Sequence, residues 1–262
     1  MTGSSVGKEG DKGRFHALDF QIMKHAFDIH NRMGNCHDEK IYQNELLHLV
    51  QNDGIQVQKE VPLEIGFRSF TKTCFLDLLV EGNHIYELKT LAKLSAQCQG
   101  QLINYQLISE KPYGKLVNFG GPRVEHEFTT STLKKTDRQA FRIDRSEWDE
   151  KSDPDQTFYS LTHDLFAEWG TRLDPALYSE ALLSLLPIGK ERRINIVSDG
   201  RLVGNKLVRL ALPDIAFKIT TSKKPNPLGI QFQKFINHAD LSALFWINLG
   251  RNQITFQTLR KK

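Results

Sequence analysis

The tightest constraint on the fold lies between Asp77 and Lys89, where the chain reads DLLVEGNHIYELK. An apolar run from Cys74 to Val80 ends at Glu81-Gly82-Asn83, and a second run, His84 to Lys89, follows. Two short β-type runs about a Gly-containing turn predict a hairpin. Side chains two apart on a strand share a face, so Glu87 and Lys89 are neighbours. The hairpin can bring Asp77 beside them. Two carboxylates and an ammonium converging at a sheet edge have the chemistry to hold a divalent cation and activate a water. The same three residues also suit a surface salt bridge on an ordinary hairpin, so the decision falls to the rest of the chain.

With 262 residues there is room for one large domain or two small ones. A content of 39% hydrophobic and 25% charged residues fits a folded soluble protein. No apolar run approaches the roughly 20 residues that span a bilayer. The opening MTGSSVGKEGDKG is polar, unlike a signal peptide or an anchor, and residues 1–17 are expected to be a disordered tail. Cys36, Cys74 and Cys98 are odd in number and lack a CxxC spacing. That argues against a zinc ribbon or a disulfide framework and fits a reducing cytoplasm. Charge is split along the chain. Residues 1–130 hold 14 Lys and Arg against 16 Asp and Glu, whereas residues 131–262 hold 21 against 15. A basic half beside an acidic one suggests a surface for a polyanion, or simply a solvated basic face.

Apolar spacing predicts a helix from Leu18 to Met33, with Phe20, Met23, Phe27 and Met33 as its stripe, stopped by Gly34-Asn35. A second helix is expected from Asp38 to Asn52, with Glu39 and Tyr42 on one face near its start. Strands follow at Ile55–Val61 and Leu63–Phe67, then the hairpin. A third helix, Ala96–Ser109, places Gln101 and Tyr105 four apart. Strands at Lys115–Phe119 and Val124–Phe128 complete an α/β sandwich with a mixed sheet.

Residues 25–130, in this order, resemble the GxxExxY family, a branch of the PD-(D/E)xK nuclease superfamily close to RecB-type nucleases. The resemblance rests on Gly34 with Glu39-Lys40-Ile41-Tyr42, Asp77-Leu78-Leu79-Val80, Glu87-Leu88-Lys89, Gln101 with Tyr105, and Asn118-Phe119-Gly120. It implies that Asp77 and Glu87 ligate Mg²⁺ or Mn²⁺, with help from the backbone carbonyl of Leu88. Lys89 would orient the water or stabilise phosphorane charge. Glu39 would contribute from the helical side. Gln101 and Tyr105 would contact the nucleic-acid backbone or brace the site. Two positions depart from the family pattern: Cys36 stands where a second Gly is frequent, and Cys98 where a His is frequent. Structural roles are open for several of these residues. Tyr42 and Tyr105 suit the core, Gln101 a satisfied buried amide, Asn118 a turn cap and His84 an exposed turn.

The second half repeats the first. GNCHDEKIYQNELL at Gly34 aligns without a gap on GTRLDPALYSEALL at Gly170. The hairpin recurs as RLALPDIAFKIT from Arg209 to Thr220, one residue shorter, the third helix as QFQKFINH from Gln231, and KLVNFG at Lys115 as FWINLG at Phe245. Four blocks in one order indicate duplication. On this alignment Glu39 falls on Pro175, Asp77 on Arg209, Glu87 on Lys218 and Lys89 on Thr220, a set that would repel a cation. Gln101 falls on Gln231 and Tyr105 on Phe235.

The sequence therefore predicts tandem restriction-endonuclease-like α/β sandwiches, with a nuclease-like domain at 18–130, a linker at 131–155 and a degenerate pseudonuclease domain at 156–262. The two copies could pair as an intramolecular pseudo-dimer. The expected activity is metal-dependent phosphodiester hydrolysis, in DNA by family analogy alone, with Arg209 and Lys218 adding nucleic-acid contacts. The alternative is a non-catalytic nucleic-acid-binding or adaptor protein on a nuclease fold.

Overall fold

A computed structural model describes residues 6–262, with side chains from residue 13 onward. The chain divides into two compact units. Unit 1 comprises Met1–Ile65 and Thr73–Leu133, and unit 2 comprises Gly66–Lys72 and Lys134–Lys262.

The helices of unit 1 are α1 (Val6–Met33), α2 (Glu39–Asn52) and α3 (Ala96–Ser109). Its strands are β1 (Val57–Phe67), β2 (Phe70–Val80), β3 (His84–Lys89), β4 (Tyr113–Asn118) and β5 (Glu125–Thr130), in the sheet order β1-β2-β3-β4-β5. β3 and β4 run parallel, whereas β2–β3 and β4–β5 are antiparallel. Two apolar layers cover this mixed sheet. On one face Phe15, Ile22, Ala26 and Ile29 of α1 and Tyr42, Leu46 and Val50 of α2 meet Leu78, Val80, Tyr86, Leu88 and Val117. On the other, Cys98, Leu102 and Tyr105 of α3, at helical spacing, meet Leu79, Ile85 and Leu116.

Three local expectations change. The expected tail at residues 1–17 lies partly outside the described residues, and from Val6 onward it is helix. Phe15 is 0% exposed, among the rings of His84, Tyr86, Tyr113 and Phe128. This anchor rotates the buried stripe of α1 away from Phe20, which is 75% exposed. The two strands expected at 55–67 form the single strand β1, where Pro62 is tolerated because β1 is an edge strand. His84, expected to be exposed, is buried as the first residue of β3.

Unit 2 contains α4 (Lys135–Gln139), β6 (Arg142–Glu147), α5 (Asp153–Trp169), α6 (Pro175–Leu185), β7 (Lys190–Ser198), β8 (Arg201–Leu212), β9 (Ile215–Thr220), α7 (Pro225–His238), β10 (Ala243–Leu249) and β11 (Gln253–Arg260). The segment 131–155, expected as a linker, instead supplies α4, β6 and the first turn of α5. β6 pairs with β11 through an apolar-polar mix at Arg142–Glu147 that a charge-based reading takes for a loop. The sheet order is β7-β8-β9-β10-β11-β6, with only β9–β10 and β11–β6 parallel. Without β6 this is the strand order of unit 1, and the directions of β8–β9, β9–β10 and β10–β11 repeat those of β2–β3, β3–β4 and β4–β5.

Two hydrogen-bond devices also recur. The hydroxyl of Tyr42 donates to the carbonyl of Gly34 (2.7 Å) and accepts from the N–H of His37; the hydroxyl of Tyr178 donates to Gly170 (2.6 Å) and accepts from Leu173. Gly34 and Gly170 share φ = 73°. At the end of β4, Asn118 accepts from the N–H of Leu91 and donates to its carbonyl, both at 2.8 Å. At the end of β10, Asn248 makes the same pair of bonds with Ser222, at 2.9 and 3.2 Å.

The strand register corrects one correspondence. Leu78 pairs with Tyr86, one residue short of Glu87, and Arg209 pairs with Phe217, one residue short of Lys218. Arg209 therefore takes the place of Leu78, and Val208 that of Asp77. An irregularity between Leu210 and Leu212 adds a residue to β8 that offsets the shorter turn, so the one-residue gap that set Arg209 on Asp77 is not there in the register.

Candidate active site

Asp77 stands where β2 approaches the end of its pairing with β3. One carboxylate oxygen, Oδ2, accepts from the N–H of Leu88 at 2.7 Å. The backbone carbonyl of Asp77 accepts from Nε2 of Gln43 at 3.0 Å, which ties the strand to α2. Glu87 lies on β3 and is 1% exposed. Its Oε1 accepts from Nζ of Lys89 at 2.7 Å, while Oε2 is buried with no hydrogen-bond partner. Lys89 Nζ is also 3.9 Å from Glu39 Oε2, so the first residue of α2 joins the cluster. The hairpin and the start of α2 thus bring Glu39, Asp77, Glu87 and Lys89 into one cluster.

Electrostatics explain what this assembly can do. Burial pushes the Asp77 carboxyl up to about 6, against the stabilising Leu88 N–H and Lys89 charge. Burial, then the charge of Asp77, pushes Glu87 up to about 7, although Lys89 opposes the shift. For Lys89, burial favours loss of the proton, but Glu87 outweighs it and the ammonium is held more tightly than usual. A buried carboxylate oxygen with no donor is costly, and a hard cation is one way to satisfy it. Asp77, Glu87 and the main chain at Leu88 offer hard oxygen donors, which suit Mg²⁺ or Mn²⁺. No group of three His, Cys, Asp or Glu side chains forms a complete metal shell among the described residues. Mg²⁺ commonly uses one or two carboxylates and keeps waters on its other positions, so the donor set fits.

Gln101 and Tyr105 are brought together on α3, where Gln101 Nε2 donates to the Tyr105 hydroxyl at 2.8 Å. Burial raises the Tyr105 hydroxyl, the Gln101 bond opposes this, and the charges of Glu87 and Asp77 add to the rise. Tyr105 is therefore part of the site's electrostatic surroundings as well as of the α3 core. Tyr42, stacked on Phe119 at 4.5 Å, is a core buttress.

Residues 16–130 match the family model of the PD-(D/E)XK nuclease superfamily. No curated protein matches the chain. The matched segment ends with β5 and contains every acidic residue of the site. Two positions escaped the sequence reading of the site. Gln43 holds Asp77, and its signal is a polar residue four beyond Glu39 on the buried side of α2. Asn118, read only as a turn cap, also fastens the loop that leaves Lys89, binding Leu91 and the N–H of Gly120. A Cβ on Gly120 would lie 2.4 Å from the backbone of Thr90, so that approach requires glycine. Arg209 and Lys218 lie in unit 2.

Proposed function

We propose that the chain is a metal-dependent nuclease of the GxxExxY type, hydrolysing phosphodiester bonds in DNA, with unit 1 catalytic and unit 2 a degenerate copy that has kept the fold and lost the acids. The observation that carries this reading is the buried Asp77–Glu87–Lys89 cluster with its unpartnered Glu87 oxygen. Asp77, Glu87 and the Leu88 carbonyl would hold Mg²⁺ or Mn²⁺, with Glu39 at the margin. The bound cation supplies Lewis-acid polarisation and a more acidic water. Lys89 holds its proton beside Glu87 and offers positive charge where phosphoryl charge develops. Gln101 and Tyr105 contact the nucleic-acid backbone, and Lys218 adds a contact from unit 2. Arg209 has a lesser part, because it is paired with Glu191. The matching sheet order, the Tyr–Gly and Asn–loop devices and the Val208 and Lys218 replacements support a degenerate copy. Three cysteines joined by no disulfide agree with a cytoplasmic setting. No helix among the described residues is long and apolar enough to cross a membrane.

Cleavage of an end-labelled DNA should require Mg²⁺ or Mn²⁺ and stop in EDTA. Ca²⁺ should bind without efficient turnover, because it acidifies water less. Asp77→Asn and Lys89→Ala should each lower the rate by at least about a hundredfold, as loss of a positioned charge does. Undiminished cleavage by purified Asp77→Asn protein removes Asp77 from the mechanism. The second reading, a non-catalytic nucleic-acid-binding or adaptor protein, is favoured by the incomplete side-chain metal shell. Binding without cleavage under any divalent cation would decide for it.

A further inference from the structure

Where unit 1 has its acids, unit 2 has a cavity. Val208 and Leu210 of β8, Ala216 of β9 and Leu244 of β10 pack with Phe232, Phe235 and Ile236 of α7. By strand alternation Lys206 and Lys218 share that face. Between sheet and helix lies a cavity of about 430 Å³, lined by Lys206, Val208, Lys218, Phe232, Phe235 and Leu244 among others. Its size is within the roughly 300–1,000 Å³ of small-molecule sites. The ammonium of Lys206 sits 5.9 Å from the centre of the Phe235 ring. Phe232 is held edge-on by Trp246 at 5.2 Å, while both phenylalanines stay half-buried. Glu191 alone among the lining residues is acidic, and it is paired with Arg209 at 3.2 Å. Arg209 pairs with Phe217, whose ring packs on Phe158 of α5, so its side chain lies on the opposite face from Lys218.

Apolar walls with aromatic rings, ringed by ammonium groups that no lining acid offsets, match a ligand with a flat face and a phosphate. We propose that this cavity binds one unstacked nucleotide of a single-stranded nucleic acid. Its base stacks at Phe235 and Phe232, and its flanking phosphates contact Lys206 and Lys218. A duplex keeps its base faces inside the stack, where a recess between helix and sheet cannot reach them, so single strands are selected. The proposal rests on unit 2 as the docking half of the proposed nuclease and supplies the substrate class that it docks.

The experiment measures binding of fluorescent oligothymidine and of a DNA duplex to the full-length Asp77→Asn protein in EDTA, where cleavage is excluded. The expected result is tighter binding of the single strand. Phe235→Leu, which keeps apolar bulk but loses the ring, should weaken oligothymidine about 5- to 100-fold, as loss of a base stack does, and leave duplex binding unchanged. Lys206→Gln with Lys218→Gln should weaken it further and reduce the salt slope by about 1.4, at ~0.7 per phosphate contact on a single strand. Melting temperatures of both variants confirm folding. Unchanged affinity and slope in folded variants overturn the proposal. So does displacement of oligothymidine by polyglutamate at equal charge concentration, which would make the cavity a site for acidic protein. The two readings fail separately. Loss of binding in the Phe235→Leu protein alongside a wild-type chain that never cleaves would sink the nuclease and keep this site.

Discussion

Glu87 shows how one residue can oppose stability and serve chemistry. Its carboxyl is pushed up to about 7 from an ordinary value of 4.5, first by burial and then by Asp77. The native form thus binds this proton more tightly than the unfolded chain. By linkage, stability falls as pH rises from about 4 to about 7 and stays low above that. Glu87→Gln keeps an acceptor for Lys89 and removes the charge. In EDTA at pH 8 it should stabilise the protein by about 1–3 kcal/mol, at ~1.4 kcal/mol per pKa unit, with no gain at pH 4. Calorimetric scans of both proteins at the two pH values check this, and a fall in melting temperature at pH 8 contradicts it. The same protons compete with a cation. Metal affinity measured by titration calorimetry should therefore weaken between pH 8 and pH 6.

At the scale of elements, α1 is the part whose role differs most from expectation. Its first turns carry Phe15 into the ring cluster of β3, β4 and β5, and Asp19 then accepts from Lys115 at 2.7 Å and from the Tyr86 hydroxyl at 3.1 Å. A dispensable tail would be removed without effect. Instead, deletion of residues 1–17, or Phe15→Ala, should cost about 3–5 kcal/mol, the range for emptying a buried Phe site. Urea unfolding monitored by circular dichroism measures it, and a midpoint like that of the intact chain would return this segment to the status of a tail. The β7–β8 hairpin makes the contrasting case. Asp199-Gly200, both at positive φ, forms the two-residue turn that such a dipeptide favours, and the local sequence suffices to place it.

At the scale of the whole molecule, the proposed duplication separates two tasks. Acids that would hold a cation lie in unit 1, and the uncompensated lysines lie in unit 2. Thermal unfolding of such a chain should not be treated as two-state. Mg²⁺ or Mn²⁺ at about 100 times its Kd should stabilise the unit that binds it by about 2.7 kcal/mol. Calorimetry should show this as a shift in the unit 1 transition, abolished by Asp77→Asn. A shift that survives in that variant would place a cation elsewhere.

The sequence by itself determined the hairpin, its three charged residues and the helices and later strands of the first half. Strand alternation and turn chemistry act over a few residues, so they are written locally. It also displayed the gapless match of Gly34–Leu47 on Gly170–Leu183, which needs no contacts to be seen. Tertiary structure decided which side chains oppose one another. An alignment that shortens the hairpin by one residue in its turn put Arg209 in the place of Asp77, whereas the register put Val208 there, because the irregularity between Leu210 and Leu212 restores that residue to β8 and a one-residue slip reverses the face of a side chain. Burial of Phe15 and His84, the strand β6 in a charged segment, and the grip of Gln43 on Asp77 were likewise decided by partners far away in sequence. Desolvation of Glu87, on which the proposed chemistry depends, belongs to the packed sheet and helices around it. No short stretch of sequence carries it.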